Sequence, residues 1–102
     1  MVTLDDHLID LVLSTVAEIP SGKLSTYGDI ADMCGYPNHA RLVGRIMKGS
    51  GLYGDFPCHR VVNNQGALVP GWDEQRDLLA DEGITFLASG HADLKRYRWR
   101  SV

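Results

Sequence analysis

Leu8, Leu11, Val12, Thr15, Val16 and Ile19 recur at three- and four-residue spacing, with Leu4 on the same stripe, while Asp5, Asp6, Asp10 and Glu18 fall outside it. This period predicts an amphipathic first helix, capped by Thr3 and carrying acids in its first turn. Pro20-Ser21-Gly22 stops it, and Lys23-Leu24-Ser25 forms a short extended link. Thr26 is placed to cap a second helix, with Asp29 three residues on approximating a capping box and Ile30, Ala31 and Met33 supplying apolar groups. Cys34-Gly35-Tyr36-Pro37-Asn38 breaks the pattern. Asn38 is the expected cap of a third helix over 39–48, with Leu42, Val43, Ile46 and Met47 inward and Gly49 at its end.

The second half reads differently. Val61-Val62 favours a strand, and Pro57 just before it removes a ladder donor, so Cys58 sits where a loop becomes regular structure. Asn63-Asn64-Gln65-Gly66 is a turn, after which Ala67-Leu68-Val69 is expected to return antiparallel as a hairpin or wing. Asp73 is the expected cap of a helix that Gly83 terminates, leaving Glu82 at its C-terminal end, where the dipole disfavours a carboxylate and a partner is required. Ile84-Thr85-Phe86 reads as a short strand and 94–99 as a basic, aromatic tail. The expected fold is mainly α with a small β-hairpin, a winged helix-turn-helix-like domain occupying residues 1–102 as one unit.

Composition narrows the class. At 102 residues, 44% hydrophobic and 23% charged, the chain matches an ordinary globular domain. No apolar run approaches the ~20 residues of a membrane span, and the start lacks the basic flank of a signal peptide, so a cytoplasmic protein without a membrane partner is expected. Cys34 and Cys58, without an export signal, read as reduced thiols, and no zinc-ligand spacing occurs. The net charge of −3 conceals a polarised distribution. Arg41, Arg45 and Lys48 are the only Asp, Glu, Lys or Arg residues from Pro37 to Gly54, whereas six acids and only Lys23 occupy the first third. An acidic back and a basic face fit a modest DNA binder. Two short helices joined by a Gly-containing turn, the second one basic, have a helix-turn-helix outline, although many helical hairpins share it. Ala40 and Gly44, four apart, leave room for close backbone approach to nucleic acid or for close packing within the domain.

The chemistry concentrates in Phe56-Pro57-Cys58-His59-Arg60-Val61-Val62. A lone cysteine is most simply a small buried hydrophobe, but a neighbouring imidazole favours the thiolate. Adjacent residues on a regular strand face opposite ways, so coupling between Cys58 and His59 needs a kink or a bridging water.

Gly22-Lys23-Leu24-Ser25-Thr26-Tyr27-Gly28-Asp29-Ile30-Ala31, Ala40-Arg41-Leu42-Val43-Gly44, Pro57-Cys58-His59-Arg60-Val61-Val62, Gly66 and Leu78-Leu79-Ala80-Asp81-Glu82-Gly83 together resemble the DNA-binding, active-site domain of O6-alkylguanine-DNA alkyltransferases. The resemblance implies that Cys58 accepts an alkyl group from guanine O6, with His59 as base through a water and Glu82 orienting the imidazole. It also implies a DNA-contacting set of Thr26, Tyr27, Ala40, Arg41, Gly44, Arg45 and Lys48. Within it, Tyr27 presses on the backbone and assists proton delivery, Arg41 fills the gap of the extruded nucleotide, and Ala40 and Gly44 admit the helix to the minor groove. The partner implied is double-stranded DNA containing O6-alkylguanine. No cofactor or metal is required, and a monomer is expected.

Several positions depart from the active enzymes. Family members usually carry another domain ahead of this one, whereas here the chain begins with the helix leading into the shared domain. Ser50 replaces the hinge asparagine, Gln75 stands where a lysine near the acceptor is expected, and the connection from Gly66 to Glu82 is short, which should open the pocket. These features and Lys95-Arg96-Tyr97-Arg98-Trp99 resemble the alkyltransferase-like proteins, which bind alkylated DNA without repairing it and recruit nucleotide excision repair proteins. Those proteins carry tryptophan or alanine at the acceptor position, whereas this chain keeps Cys58. Two readings therefore stand: single-turnover alkyl transfer to Cys58, and non-enzymatic damage sensing. A helix-turn-helix regulator with an incidental thiol explains the basic helix but leaves the acceptor run unexplained.

Overall fold

Three helices build the first half of the fold: α1 (Asp6–Ala17), α2 (Tyr27–Met33) and α3 (Ala40–Lys48). A computed structural model describes residues 6–48 and 56–99. The proposed Thr3 cap, the Gly49 stop and Ser50 lie outside those residues. Of the predicted stripe α1 buries Leu8, Val12, Thr15 and Val16, with Ile9 and Leu13 beside them and Leu11 half-buried, while Leu4 lies outside the described residues. Ile30 and Ala31 of α2 and Val43, Ile46 and Met47 of α3 join the same core, with Leu42 packed at its margin.

α2 starts as its sequence predicts, with Thr26 Oγ1 accepting from the Asp29 N–H at 3.0 Å. The reciprocal half of a capping box is not made, because the Asp29 carboxylate is engaged by Arg98. The helix stops through a pair of backbone bonds, Tyr36 N–H to Ala31 carbonyl and Gly35 N–H to Asp32 carbonyl, with Gly35 in the left-handed region. Asn38 does not occupy the extended conformation of a cap. Its φ is 69°, a left-handed turn, and α3 begins two residues later at Ala40.

Strands β1 (Ser25–Thr26) and β2 (Val61–Val62) pair in parallel, with Ser25 opposite Val61 and Thr26 opposite Val62. The expected antiparallel hairpin is therefore replaced by a parallel pair of strands distant in sequence. The reason lies in the donors of the returning segment. Asn63 Oδ1 accepts from both Gln65 and Ala67 N–H groups, and the Val69 N–H is taken by the Gln75 side chain, leaving the segment few groups to offer a ladder. On its other side Leu24 bridges Arg98 in parallel, through the Leu24 N–H to the Tyr97 carbonyl and the Trp99 N–H to the Leu24 carbonyl.

Helices α4 (Glu74–Asp81) and α5 (Leu94–Tyr97) complete the order. Asp73 precedes α4 in position but makes no side-chain cap, since its φ/ψ of −65°/−31° is already helical. The stop is again a double bond pattern, Ile84 N–H to Leu79 carbonyl and Gly83 N–H to Ala80 carbonyl, with Leu79 and Ile84 both buried in a second apolar cluster that also holds Leu24, Val62 and Ala92. Residues 84–86 form no strand. Phe86 makes a single antiparallel bridge to Ala92, and the Arg76 guanidinium lies 4.1 Å from its ring centre.

Candidate functional site

β2 is preceded by a single 3-10 turn, Cys58–Arg60, and β1 runs directly into α2 at Tyr27. The parallel register therefore brings the start of α2 beside the thiol. Cys58 and Tyr27 line one cavity of about 390 Å³ together with Gly44, Met47 and Lys48 from α3 and Val69 and Trp72 from the loop before α4. Burial, and secondarily the proximity of Cys58, pushes the Tyr27 hydroxyl above its ordinary value of 10.0, so it remains a proton donor across the neutral range.

Behind the thiol the predicted carboxylate finds its partners. The stop of α4 places Glu82 at the helix C-terminus, where His59 Nε2 lies 2.6 Å from Oε2. The Gly22 N–H donates to Oε1 at 2.9 Å. Arg60, which sequence reasoning left without a role, grips the same group: its Nε is 2.9 and 3.1 Å from the two oxygens, and Nη2 is 2.9 Å from Oε2. Arg60 Nη1 also donates to the Ile19 carbonyl at 2.8 Å. Burial by itself would raise the Glu82 carboxyl, but the hydrogen bonds from Arg60, His59 and Gly22, with the guanidinium charge, outweigh it and lower the group from 4.5 to about 2. A carboxylate so held only accepts, so His59 Nε2 is the donor, and in the neutral ring the lone pair resides on Nδ1.

The other predicted residues divide. Arg41, Arg45 and Lys48 are exposed on α3, and Ala40 and Gly44 are half-buried. Gly44 faces α2 loosely, since a Cβ there would meet Tyr27 Cδ1 at 3.9 Å. Thr26 is 3% exposed and its hydroxyl caps α2, so it starts the helix that carries Tyr27 and is not part of the exposed surface. The basic tail is only partly free: Arg98 is bonded to Asp29, Trp99 packs against the main core, and Lys95 and Arg96 remain exposed. Cys34 is buried, with its sulfur 3.5 Å from Thr15 Oγ1. Sequence reasoning missed Val69 and Trp72 as cavity walls; an aromatic residue between Pro70-Gly71 and a helix start was the available signal.

Comparison with known proteins agrees with this arrangement. Residues 8–84 match the model of the 6-O-methylguanine DNA methyltransferase DNA-binding domain. The DNA base-flipping protein of Escherichia coli (strain K12) is 41% identical over 98 residues, spanning 93% of this chain and 76% of that protein. Alkyltransferase-like protein 1 of Schizosaccharomyces pombe is 38% identical over 104 residues, 93% and 96% of the two chains. The crystal structure of the S. pombe alkyltransferase-like protein in complex with damaged DNA containing O6-carboxymethylguanine superposes with a TM-score of 0.83 at 34% identity, covering 97% of this chain and all of that one. Mycobacterium tuberculosis OGT in complex with DNA gives 0.62 at 32% identity, over 78% of this chain and 51% of that one. With its helix pair, the Cys58–Arg60 turn and a half-buried Glu82 in place, this chain belongs to the 6-O-methylguanine DNA methyltransferase DNA-binding domain family.

Proposed function

We propose that this protein binds duplex DNA through α3, draws an O6-alkylguanine out of the stack into the cavity beside Tyr27, and transfers the alkyl group to Cys58 in one irreversible turnover. The observation that carries this reading is the shared cavity: a thiol and a protonated phenol line one 390 Å³ space, and the residue after the thiol is an imidazole anchored on Glu82. In the transfer, His59 takes the thiol proton through a bridging water and Cys58 Sγ attacks the alkyl carbon in line. The carbon–O6 bond breaks with its electron pair leaving on guanine, and Tyr27 supplies the proton that neutralises the leaving base. A thioether forms and nothing is oxidised or reduced. Extrusion is required because the sulfur has no in-line path to O6 inside a stacked duplex. Arg41, exposed on the first turn of α3, occupies the space the base leaves, and Arg45 and Lys48 neutralise phosphates.

The similarity to proteins named for base flipping and to an alkyltransferase-like protein favours a second reading. There the same contacts bind the lesion, Cys58 is a passive wall, and nucleotide excision repair proteins complete the work. Intact-protein mass spectrometry after incubation with duplex containing O6-methylguanine separates the two. Transfer gives a methyl-sized gain that Cys58→Ser abolishes; tight lesion binding without a mass change selects the sensor.

A further inference from the structure

We propose that Gln75 is a positioning residue that sets the shape of the base cavity, holding Trp72 as the wall against which the O6 substituent packs; this rests on the extruded-base reading above. The Gln75 side chain has no solvent exposure, and both its oxygen and its nitrogen are hydrogen-bonded. Oε1 accepts from the Val69 N–H at 2.7 Å, and Nε2 donates to the His59 carbonyl at 3.1 Å and the Val61 carbonyl at 3.2 Å. One side chain thus joins two stretches of backbone that reach the cavity separately: the acceptor turn at Cys58–Val61 and the loop at Val69–Trp72. Within the loop the Trp72 N–H bonds the Val69 carbonyl and the Gln75 N–H bonds the Trp72 carbonyl, so Val69 and Trp72 are carried with the amide.

The chemistry of the three partners selects a carboxamide. Two carbonyls need donors and one N–H needs an acceptor, and only an amide of this length offers both. A lysine here would donate to the carbonyls but leave the Val69 N–H unpaired, while a glutamate would set a charge against two carbonyl oxygens. A buried network of this kind rigidifies what it joins when every member is satisfied. The wall it fixes is apolar and aromatic. At about 390 Å³ the cavity lies within the ~300–1,000 Å³ that hold drug-sized ligands, more than a purine with one methyl group fills. Val69 and Trp72 are the apolar walls contributed by the loop, and such a wall suits an extended apolar or aryl substituent on O6.

The test is competition binding of the full chain, carrying Cys58→Ser throughout so that no transfer consumes a duplex, to duplexes containing O6-benzylguanine, O6-methylguanine or guanine, read as the benzyl-to-methyl affinity ratio. The ratio should exceed one for the wild type and fall roughly tenfold in Trp72→Ala, the upper range of one aromatic contact, with Trp72→Phe retaining most of it. Gln75→Lys should lower the same ratio, and the Gln75→Lys, Trp72→Ala double variant should lose no more than Trp72→Ala alone, because both act through one wall. Gln75→Met, which keeps length and volume, replaces Gln75→Lys if thermal melting shows that the lysine variant does not fold. A wild-type ratio above one that survives Trp72→Ala, or losses that add in the double variant, overturns this inference alone. Failure of the wild type to prefer either alkylated duplex over guanine overturns the base-binding reading with it.

Discussion

Arg98 holds Asp29 through two parallel hydrogen bonds, Nη2 to Oδ1 at 2.6 Å and Nε to Oδ2 at 2.8 Å, and so fastens the end of the described chain to the first turn of α2. The pair removes one cation from the basic tail and one acid from the acidic first third of the chain. It also adds to the bridge at Leu24, leaving β1 flanked on both sides. The bidentate geometry is the strong form of the interaction, tempered by partial exposure of both side chains. Arg98→Ala should lower stability by about 1 kcal/mol in urea unfolding, and a double-mutant cycle with Asp29→Ala should recover a coupling of similar size. Additive losses would show that the two groups do not act together.

Acid should unfold the protein in part through Glu82. Its carboxyl is lowered from 4.5 to about 2 in the folded state, so its stabilising contribution is complete above pH ~4.5 and is lost as the pH falls through ~2. A shift of this size corresponds to about 3 kcal/mol. Glu82→Gln should therefore be less stable than the wild type near neutrality, leaving the Arg60 guanidinium without its carboxylate, and the gap should close towards pH 2. A constant gap across urea midpoints measured from pH 7 to pH 2 would remove the ion pair from the account.

The exposed cations of α3 make separate contributions in the proposed complex. Each phosphate neutralised contributes about −0.9 to the slope of log affinity against log salt, so Lys48→Ala or Arg45→Ala should each make the slope shallower by about one unit. Fluorescence anisotropy at several salt concentrations measures it, and an unchanged slope would take that residue off the DNA surface.

Arg41 should respond to base pairing instead. Its proposed place is the gap left by the extruded nucleotide, and opening that gap costs a few kcal/mol in paired DNA and less where the guanine is already unpaired. Arg41→Ala should weaken binding more on fully paired duplex than on a mismatched one. Equal losses on both substrates would make it an ordinary phosphate contact.

The two thiols should separate cleanly under an alkylating probe. Cys34 is 8% exposed, with Thr15 and the Leu11 carbonyl against its sulfur, whereas Cys58 opens on the cavity. Cys58 should label in the native protein, more slowly in His59→Ala and in the presence of alkylated duplex, and Cys34 only on unfolding. Native labelling of Cys34 at a comparable rate, read by peptide mass mapping, would contradict the burial described.

The local signals proved dependable because each needs only a few neighbouring residues. The stripe of α1, the Thr26 cap, the glycine stops at Gly35 and Gly83 and the position of Glu82 at a helix end follow from spacing and from the few backbone conformations available. The need of Glu82 for a partner was also legible, as was His59 for that part, but Arg60 as its strongest holder was not. Two expectations gave way where tertiary partners competed for the same atoms. The hairpin yielded to a parallel pair because the Asn63 and Gln75 side chains took the donors of 65, 67 and 69. The capping box lost its acid to Arg98. The cavity itself assembles α2, α3, the turn at Cys58 and the loop at Val69–Trp72, and no spacing along the chain encodes which of these meet. Short-range hydrogen bonding is written in the order of residues; which distant groups satisfy one another is decided only when the two apolar clusters close and water is excluded.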